Sequence, residues 1–349
     1  MQPVLKRKLK LLFTICLIST ISAVIYQYID IEFVDLRSIY TGISLGLGFG
    51  ILELFIITRY QHLFQKMPFF WHLLLKTFLY TVIISLVAGS LSFWLELSEG
   101  KQIEGFRIEL FSPGFYSLLI YTLMIYTLLV FYIQINRMLG EGVLIKFLWG
   151  SYYSPVEEDR VFMFMDMKSS TTVAEKLGHQ RYYALLDEFY HEITKPVLSN
   201  KAEIYQYVGD EVVFTWKTKD GIKDVRCIKL FFEIMDRLEE KRERYFDKYG
   251  LVPEFKAGVH TGKVITAKIG DLKRVIVYNG DVMNTTSRIQ EMCNHYQCKL
   301  LVSGKLLKKL QLDKTYNSTF MESVNLRGKK KKVRLYCIDR RINPWQAVE

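Results

Sequence analysis

Four apolar stretches dominate the N-terminal part of the sequence, each about as long as the roughly 20 residues that a helix needs to cross a bilayer core. They cover approximately residues 11–29, 39–58, 77–95 and 114–135. One such stretch alone is compatible with a buried helix of a soluble protein. Four in series, separated by short polar connections, predict a transmembrane region with four spans over residues 1–135.

Charged residues beside these stretches predict their orientation. Basic residues precede the first stretch and lie between the second and third, whereas the other two connections are mainly acidic. The basic residues are Lys6, Arg7, Lys8, Lys10, Arg59, Lys66 and Lys76. By the positive-inside rule the N-terminus is cytoplasmic, and after an even number of spans so is the C-terminal domain. We therefore expect a multi-pass protein of the inner (plasma) membrane, whose first stretch is retained as an anchor because no clear cleavage site follows it.

Glu53 is an acidic residue well inside a predicted span. A carboxylate at that depth is a functional hypothesis by default. The alternative is that it hydrogen-bonds a neighbouring helix, which we favour because Gly46, Gly48 and Gly50 lie nearby and would permit close helix contact.

The formal net charge of +11 raises the question of a nucleic-acid partner. The basic residues, however, cluster beside the apolar stretches and in residues 329–332, which is typical of membrane-flanking charge. The five cysteines are odd in number and form no CxxC pair, so the sequence suggests neither a disulfide framework nor a zinc site. We expect reduced cysteines, a lipid bilayer as partner, no zinc and no nucleic acid.

The C-terminal part of the sequence reads as a linker followed by one soluble domain. Residues 136–160 contain three glycines and a proline and predict a linker with a short amphipathic helix, and the domain follows over residues 161–349. Its predicted order is a strand at 161–165, a helix to about 198, strands at 203–207 and 212–216, a long charged helix to about 248, strands at 255–260, 263–269 and 275–278, a helix from 281, and short strands to 338. This order favours an α+β sandwich of the split βαβ kind.

Two carboxylates stand where this pattern can bring them together. Asp166 ends the first predicted strand, and Asp210 lies in a tight turn between two later strands. Each alone is more often a turn or cap residue, but together they can hold Mg²⁺, which takes one or two carboxylates plus phosphate oxygens. Asn284 and Arg288 lie four apart on one helix face and could present an amide and a guanidinium to a phosphate, although their spacing alone is equally typical of a surface pair.

Four segments resemble, in order, the signature blocks of class III adenylyl and guanylyl cyclases. They are FMDMKSST at 164–171, YVGD at 207–210, GVHTG at 258–262 and GDVMNTTSR at 280–288. The resemblance covers roughly residues 157–340, and four blocks in the right order are far more specific than any one of them. It implies the ferredoxin-like, palm-type class III cyclase fold.

The resemblance also implies roles for particular residues. Asp166 and Asp210 would hold two Mg²⁺ (or Mn²⁺) ions, with the Met167 backbone carbonyl as a further ligand, and the backbone at Ser169, Ser170 and Thr171 would cradle the phosphates. Asn284 and Arg288 match the pair that orients the ribose and stabilises the transition state. A late basic residue binds the triphosphate in this family, for which Arg327 is the nearest match and Lys329 the reserve.

The sequence departs from the family at the purine-reading positions. Gln206 stands where adenylyl cyclases of this family usually have lysine, and Val277 stands where they usually have Asp or Thr. One amide can donate to adenine N1 and accept from N6, whereas guanine would favour a carboxylate, which neither position supplies. Adenine is therefore favoured over guanine.

The function implied is an adenylate cyclase that converts ATP to 3′,5′-cyclic AMP in a homodimer, with each site between two chains. Guanylate cyclase activity is one alternative. A catalytically silent nucleotide-binding module is another, because the purine pair is altered. A diguanylate cyclase is disfavoured: Gly209-Asp210-Glu211 lacks the second glycine and the phenylalanine of GGDEF, and Asn284 and Arg288 would be unexplained.

Overall fold

The chain forms two units, an N-terminal unit (Met1–Met138) and a C-terminal unit (Leu139–Glu349). The structure, a computed structural model, describes residues 3–32, 35–57, 69–98, 113–139, 154–271, 275–325 and 332–341. Residues 140–153 of the predicted linker lie outside the described residues.

The apolar stretches of the N-terminal unit form helices. Over its described residues these are α1 (Pro3–Ile31), α2 (Leu36–Ile51), which continues as a π-helical segment (Leu52–Ile57), α3 (Phe69–Ser98) and α4 (Pro113–Leu139). Within the part of the chain that the structure describes, three segments are long and apolar enough to cross a membrane: Leu5–Ile29, Ser38–Ile57 and Tyr116–Asn136. The predicted third span falls on α3, where the apolar stretch is the shorter Leu74–Val87.

Helices α1 and α2 pack backbone against backbone at small residues. A Cβ atom at Gly42 would lie 2.5 Å from Thr20 Cα, and one at Gly46 would lie 2.6 Å from Cys16 Cα. Side chains larger than hydrogen at these two positions would force the helices apart. The close contact expected at Gly46 is therefore confirmed.

Glu53 is satisfied by the neighbouring helix α3. Its two carboxylate oxygens each lie 2.9 Å from Lys76 Nζ, and the Tyr80 hydroxyl donates to Oε2 at 2.9 Å. All three residues are buried. The interpretation of Glu53 as a residue that bonds to a neighbouring helix is confirmed.

The C-terminal unit is built on one mixed sheet. Its described strands are β1 (Val156–Met167), β2 (Glu203–Val208), β3 (Glu211–Lys217), β4 (Phe255–Ile269), β5 (Val275–Asn279), β6 (Leu300–Ser303), β7 (Tyr316–Val324) and β8 (Val333–Arg340). The strand order is β2-β3-β1-β4-β6-β8-β7, and β5 pairs with β4. Strands β4 and β6 are parallel, whereas β1 is antiparallel to both β3 and β4. The sheet and its helices confirm the α+β class.

Most helices of the unit cover one face of this sheet, and α11 lies on the other. The described helices are α5 (Ser170–Leu177), α6 (His179–Glu192), α7 (Thr194–Ser199), α8 (Thr218–Ile222), α9 (Arg226–Glu240), α10 (Arg242–Tyr249), α11 (Asp281–His295) and α12 (Gly304–Leu307). Along β1, Val161, Met163 and Met165 join the large core beneath α5–α7, α9 and α10, while Phe162 and Phe164 join a second core with Val282 of α11. Both faces of β1 are buried over residues 161–165, which form a continuous apolar run.

Several predicted element boundaries are wrong. Strand β1 begins at Val156, inside the segment predicted as linker. The two strands predicted over 255–269 form one strand, β4, and the single helices predicted to about 198 and 248 are each divided into shorter helices. Gly262 lies within the unbroken β4, where an added Cβ would be 3.2 Å from Val282 Cγ2.

The expectation that all cysteines are reduced is also wrong. Cys298 and Cys337 form a disulfide, and their Cα atoms are 6.0 Å apart. Cys337 lies on β8 and Cys298 just precedes β6, and these two strands are neighbours in the sheet. Sheet pairing between residues 39 positions apart cannot be deduced from cysteine spacing alone.

Candidate active site

Asp166 and Asp210 lie beside each other at one end of β1. Asp166 is the penultimate residue of β1, and Asp210 lies in the turn between β2 and β3, where Gly209 has a φ of +62°. Because β3 pairs with β1 from Met165↔Val212 onward, the turn meets the end of β1. Burial, then the hydrogen bond and charge of Asp210, raise the pKa of Asp166, as expected for two carboxyls in contact.

Two side chains that the sequence analysis missed hold the Asp166 carboxylate. Gln290 of α11 donates from Nε2 to Oδ2 at 3.1 Å, and Lys256 Nζ of β4 lies 3.5 Å from the same oxygen. Both interactions lower the pKa of Asp166, against the larger effect of burial. Gln290 is buried, so its amide is fixed in place.

The remaining acceptor capacity at this pair suits a cation. Asp210 Oδ2 is buried and lacks a hydrogen-bond partner within the described segments. Next to it, burial first and the charges of Asp166, Asp210 and Glu291 second raise the pKa of Glu211 to about 7. Hard divalent cations prefer oxygen ligands that carry negative charge, and an unpartnered carboxylate oxygen beside other carboxylates is such a ligand. Over the residues that the structure covers, no group of three or more His, Cys, Asp or Glu side chains forms a ready metal cage.

The segment after Asp166 turns sharply into a helix. Met167, the last residue of β1, has its side chain in the core, and Lys168 N donates to Glu254 O at 2.8 Å. Ser169 has a φ of +57° and makes no side-chain cap bond to the helix that follows. The first backbone N–H groups of α5, including those of Ser170 and Thr171, are the ones that a helix leaves unpaired. Such groups are suited to bind phosphate.

Asn284 and Arg288 lie on α11 but face away from this Asp pair. Gln290, two residues after Arg288, contacts Asp166. At 3.6 residues per turn, Arg288 is about 200° and Asn284 about 240° around the helix from Gln290. Asn284 is exposed and Arg288 half-buried, whereas Gln290 is buried. The structure therefore brings Asn284 and Arg288 together on one face without directing them at the carboxylates of the same chain.

Gln206 and Val277 lie on strands that are close in space. The ring of Tyr205, one residue before Gln206, packs edge-on against Tyr278, one residue after Val277, with centroids 4.9 Å apart. Gln206 is exposed and Val277 half-buried.

Buried Arg160, which sequence reasoning also missed, ties these strands together. It contacts Glu203 Oε2 through Nη2 at 2.6 Å, donates to the Tyr278 hydroxyl, and stacks its guanidinium 4.6 Å from the Tyr278 ring. A buried arginine at the start of an apolar run is a signal that could have been followed, because such a charge needs a partner. Arg327 and Lys329, predicted to bind triphosphate, lie outside the described residues.

Comparison with known families gives a match over the C-terminal unit. Residues 153–340 match the family model described as "Adenylate and Guanylate cyclase catalytic domain".

Named relatives match the same part of the chain. Adenylate cyclase 2 of Rhizobium meliloti (strain 1021) is 36% identical over 181 residues, which is 52% of this chain and 50% of the relative. Adenylate cyclase 1 of the same organism is 27% identical over 150 residues, 42% of this chain and 22% of the relative. The matches thus span half or less of the relatives' own length.

Among solved structures, a bacterial light-regulated adenylyl cyclase superposes with a TM-score of 0.54 and 17% identity, covering 66% of this chain and 67% of that one. At that identity the likeness concerns the fold alone.

Proposed function

The chain belongs to the adenylate and guanylate cyclase catalytic domain family, since the match covers more than half of its residues, and we propose that it is an adenylate cyclase converting ATP to 3′,5′-cyclic AMP and pyrophosphate. The observation that carries the proposal is the contact between Asp166 and Asp210, with an orphaned buried oxygen on Asp210. Resemblance to a named adenylate cyclase at 36% identity supports the choice of product.

The proposed reaction is an in-line displacement at the α-phosphorus. The ribose 3′-oxygen forms a bond to this phosphorus, the bond to the bridging α–β oxygen breaks, and pyrophosphate leaves while the hydroxyl proton passes to solvent. Asp166, Asp210 and the Met167 carbonyl would hold two Mg²⁺ (or Mn²⁺) ions. When bound, these ions lower the pKa of the hydroxyl and neutralise the triphosphate.

Other residues bind and orient the nucleotide in this proposal. The uncapped start of α5, with Ser169, Ser170 and Thr171, offers backbone N–H groups to the phosphates. Asn284 orients the ribose, and Arg288 donates to the phosphorane oxygens as their negative charge grows. Arg327, with Lys329 as the reserve, would bind the triphosphate.

For the purine, Gln206 is the proposed contact and Val277 an apolar wall. The exposed amide of Gln206 can donate to adenine N1 and accept from N6. Aromatic side chains beside both positions, Tyr205 and Tyr278, stiffen the strands that carry them. Neither position offers the carboxylate that would select guanine.

The orientation of α11 supports a homodimer with composite sites. With Gln290 directed at Asp166, the face carrying Asn284 and Arg288 cannot serve the Asp pair of its own chain. A second copy related by a two-fold axis would supply it, giving two equivalent sites.

The N-terminal unit is proposed to anchor the protein in the plasma membrane through four spans, with α3 as the third. The basic flanks favour a cytoplasmic N-terminus and a cytoplasmic catalytic domain. Cytosolic thiols are kept reduced, so at this location the Cys298–Cys337 bond would form only under oxidising conditions.

Product analysis of the purified full chain in lipid nanodiscs tests the proposal. Incubated with Mn²⁺ and equal ATP and GTP, the protein should yield mainly cyclic AMP by mass spectrometry. Mainly cyclic GMP would assign a guanylate cyclase instead. No cyclic product from a folded chain, despite nucleotide binding, would assign the silent module.

A further inference from the structure

A cavity of about 190 Å³ lies within the N-terminal unit, between α1, α2 and α4. No acidic or basic side chain and no histidine lines it among the described residues. Its walls are apolar surface interrupted by hydroxyl groups, which include those of Ser19, Ser22, Tyr26, Ser38, Tyr121 and Thr122. Such a lining is suited to a neutral molecule.

The cavity exists because α4 is held at a distance. Helices α1 and α2 touch at their glycines, as described above. Helix α4 instead reaches α1 through tyrosine side chains, which form a ladder of three hydroxyl pairs at 2.8, 3.0 and 2.6 Å. The pairs are Ser19–Tyr126, Ser22–Tyr121 and Tyr26–Ser117. A tyrosine side chain between two helices keeps their backbones apart and leaves space beside the ring. Helices whose backbones touch leave no such space.

The hydroxyl hydrogens of this ladder are already used. Ser19 donates to Ile15 O, so Tyr126 must donate to Ser19. Tyr121 donates to Ser22 O and accepts from Ser22 Oγ.

The pattern continues around the wall. Ser117 donates to Gly114 O, which makes Tyr26 the donor to Ser117. Ser38 donates to Asp35 O, just before α2 begins, and Thr122 donates to Leu118 O within α4. What these hydroxyls still offer is acceptor lone pairs. A ligand matched to them must donate a hydrogen bond.

We propose that this cavity binds a neutral, ring-sized molecule that carries a hydroxyl donor, of the phenol or quinol class. A cavity of about 150 Å³ accommodates benzene, so 190 Å³ admits one ring with a short substituent. The lone pairs of Tyr121 and Tyr126 accept from the ligand hydroxyl, and the amide of Gln27, also on the wall, can donate to its oxygen. Binding does not require the catalytic function proposed above, so it can be tested separately.

Photolabelling of the full chain in nanodiscs tests the site. The probe is a phenol bearing a trifluoromethyl-diazirine, and the competitors are 4-ethylphenol and its methyl ether, 4-ethylanisole, which has nearly the same shape but no donor. We expect labelled peptides from residues 19–27 and 118–126. We also expect 4-ethylphenol to suppress this labelling at about three- to tenfold lower concentration than 4-ethylanisole, the range that one hydrogen bond supplies.

Two variants probe the same wall in different ways. Ala23→Leu fills the cavity, and Tyr121→Phe removes an acceptor while keeping the ring, so both should lose most of the competed labelling. Tyr40→Phe, on the exposed side of α2, is the matched control and should label as the wild type does. Tyr121→Phe keeps the test valid if the larger substitution prevents folding.

Three outcomes would overturn the proposal. The first is labelling that spreads along lipid-facing residues without competition, and the second is equal suppression by the two competitors. The third is a folded Tyr121→Phe variant that labels with unchanged competition. Each would mean that the cavity holds only water or lipid.

Discussion

At the scale of single residues, the Asp166–Asp210 pair places two carboxyls in contact and partly out of water, which raises the pKa of Asp166. Lys256 and Gln290 offset part of the cost in folding free energy at Asp166, whereas Asp210 Oδ2 has no donor in the described parts of the chain. A bound cation would offset the rest of this cost, which supports the proposed metal-binding role.

Asp166→Ala and Asp210→Ala should each lower cyclic AMP formation by about three orders of magnitude, because several kcal/mol of charge stabilisation is lost. The thermal unfolding temperature, measured in the presence of a chelator, should not fall, because each substitution removes one of two carboxylates that repel each other. Near-normal turnover in either folded variant would contradict the metal-binding role.

Gln290 is predicted to position Asp166. Gln290→Leu removes the hydrogen bond to Oδ2, and the Mg²⁺ concentration for half-maximal activity should rise about 10- to 100-fold, the usual effect of losing such a supporting partner. Asn294→Leu, an exposed position on the same helix, is the control. An unchanged metal requirement in Gln290→Leu would show that the contact has no positioning role.

Gln206 is predicted to read the purine. In Gln206→Ala the Michaelis constant for ATP should rise several-fold while the maximal rate in Mn²⁺ changes little, because one neutral hydrogen bond contributes about 1 kcal/mol of binding. Steady-state kinetics over a range of ATP concentrations measure both. If only the rate falls, some other residue contacts the base.

Residue-level prediction from sequence succeeds where the signal is local. The sequence predicts that Asp166 and Asp210 lie together because each lies at the end of a recognisable strand. It does not predict the contacts of Gln290 and Lys256 with Asp166. Gln290, for example, is 124 positions away in the sequence and reaches Asp166 only through the packing of α11 on β4.

At the scale of elements, the approach of α11 to β4 depends on one glycine. A Cβ at Gly258 would lie 2.4 Å from Gln290 N and 2.8 Å from its Cα, so the helix backbone rests directly on the strand. No rearrangement of a side chain can relieve a clash with backbone.

Gly258→Ala should therefore displace α11 and lower the free energy of unfolding by about 1–3 kcal/mol. It should also raise the Mg²⁺ concentration needed for half-maximal activity and lower the activity itself. Gly262→Ala on the same strand is the matched control, because its nearest clash is with the Val282 methyl at 3.2 Å. Chemical denaturation and the metal titration distinguish the two. Equal, small effects in both variants would contradict the close packing.

Element boundaries were harder to predict than element types. The glycines of 258–262 suggest a turn, but here they allow α11 to lie against an unbroken β4. The long helices predicted before 198 and 248 are each interrupted where φ turns positive, at Gly178 and at Val225. Both effects come from tertiary packing and local backbone geometry, which periodicity does not encode.

At the scale of the whole molecule, the sequence predicts two units and the structure has two, each with its own core. Asn284 and Arg288 face away from Asp166, which Gln290 contacts, and we propose that a second copy completes each site.

Mixing two inactive variants tests this composite site most directly. Asp166→Ala and Arg288→Ala chains are each expected to be inactive alone. In a mixed dimer one site collects both lesions while the other retains Asp166 from one chain and Arg288 from the other. Half of randomly paired dimers are mixed and each has one sound site of two, so co-assembled equal amounts should recover about a quarter of wild-type cyclic AMP formation. A mixture with proven co-assembly that remains as inactive as its components would contradict cyclisation of ATP at a site shared between two chains.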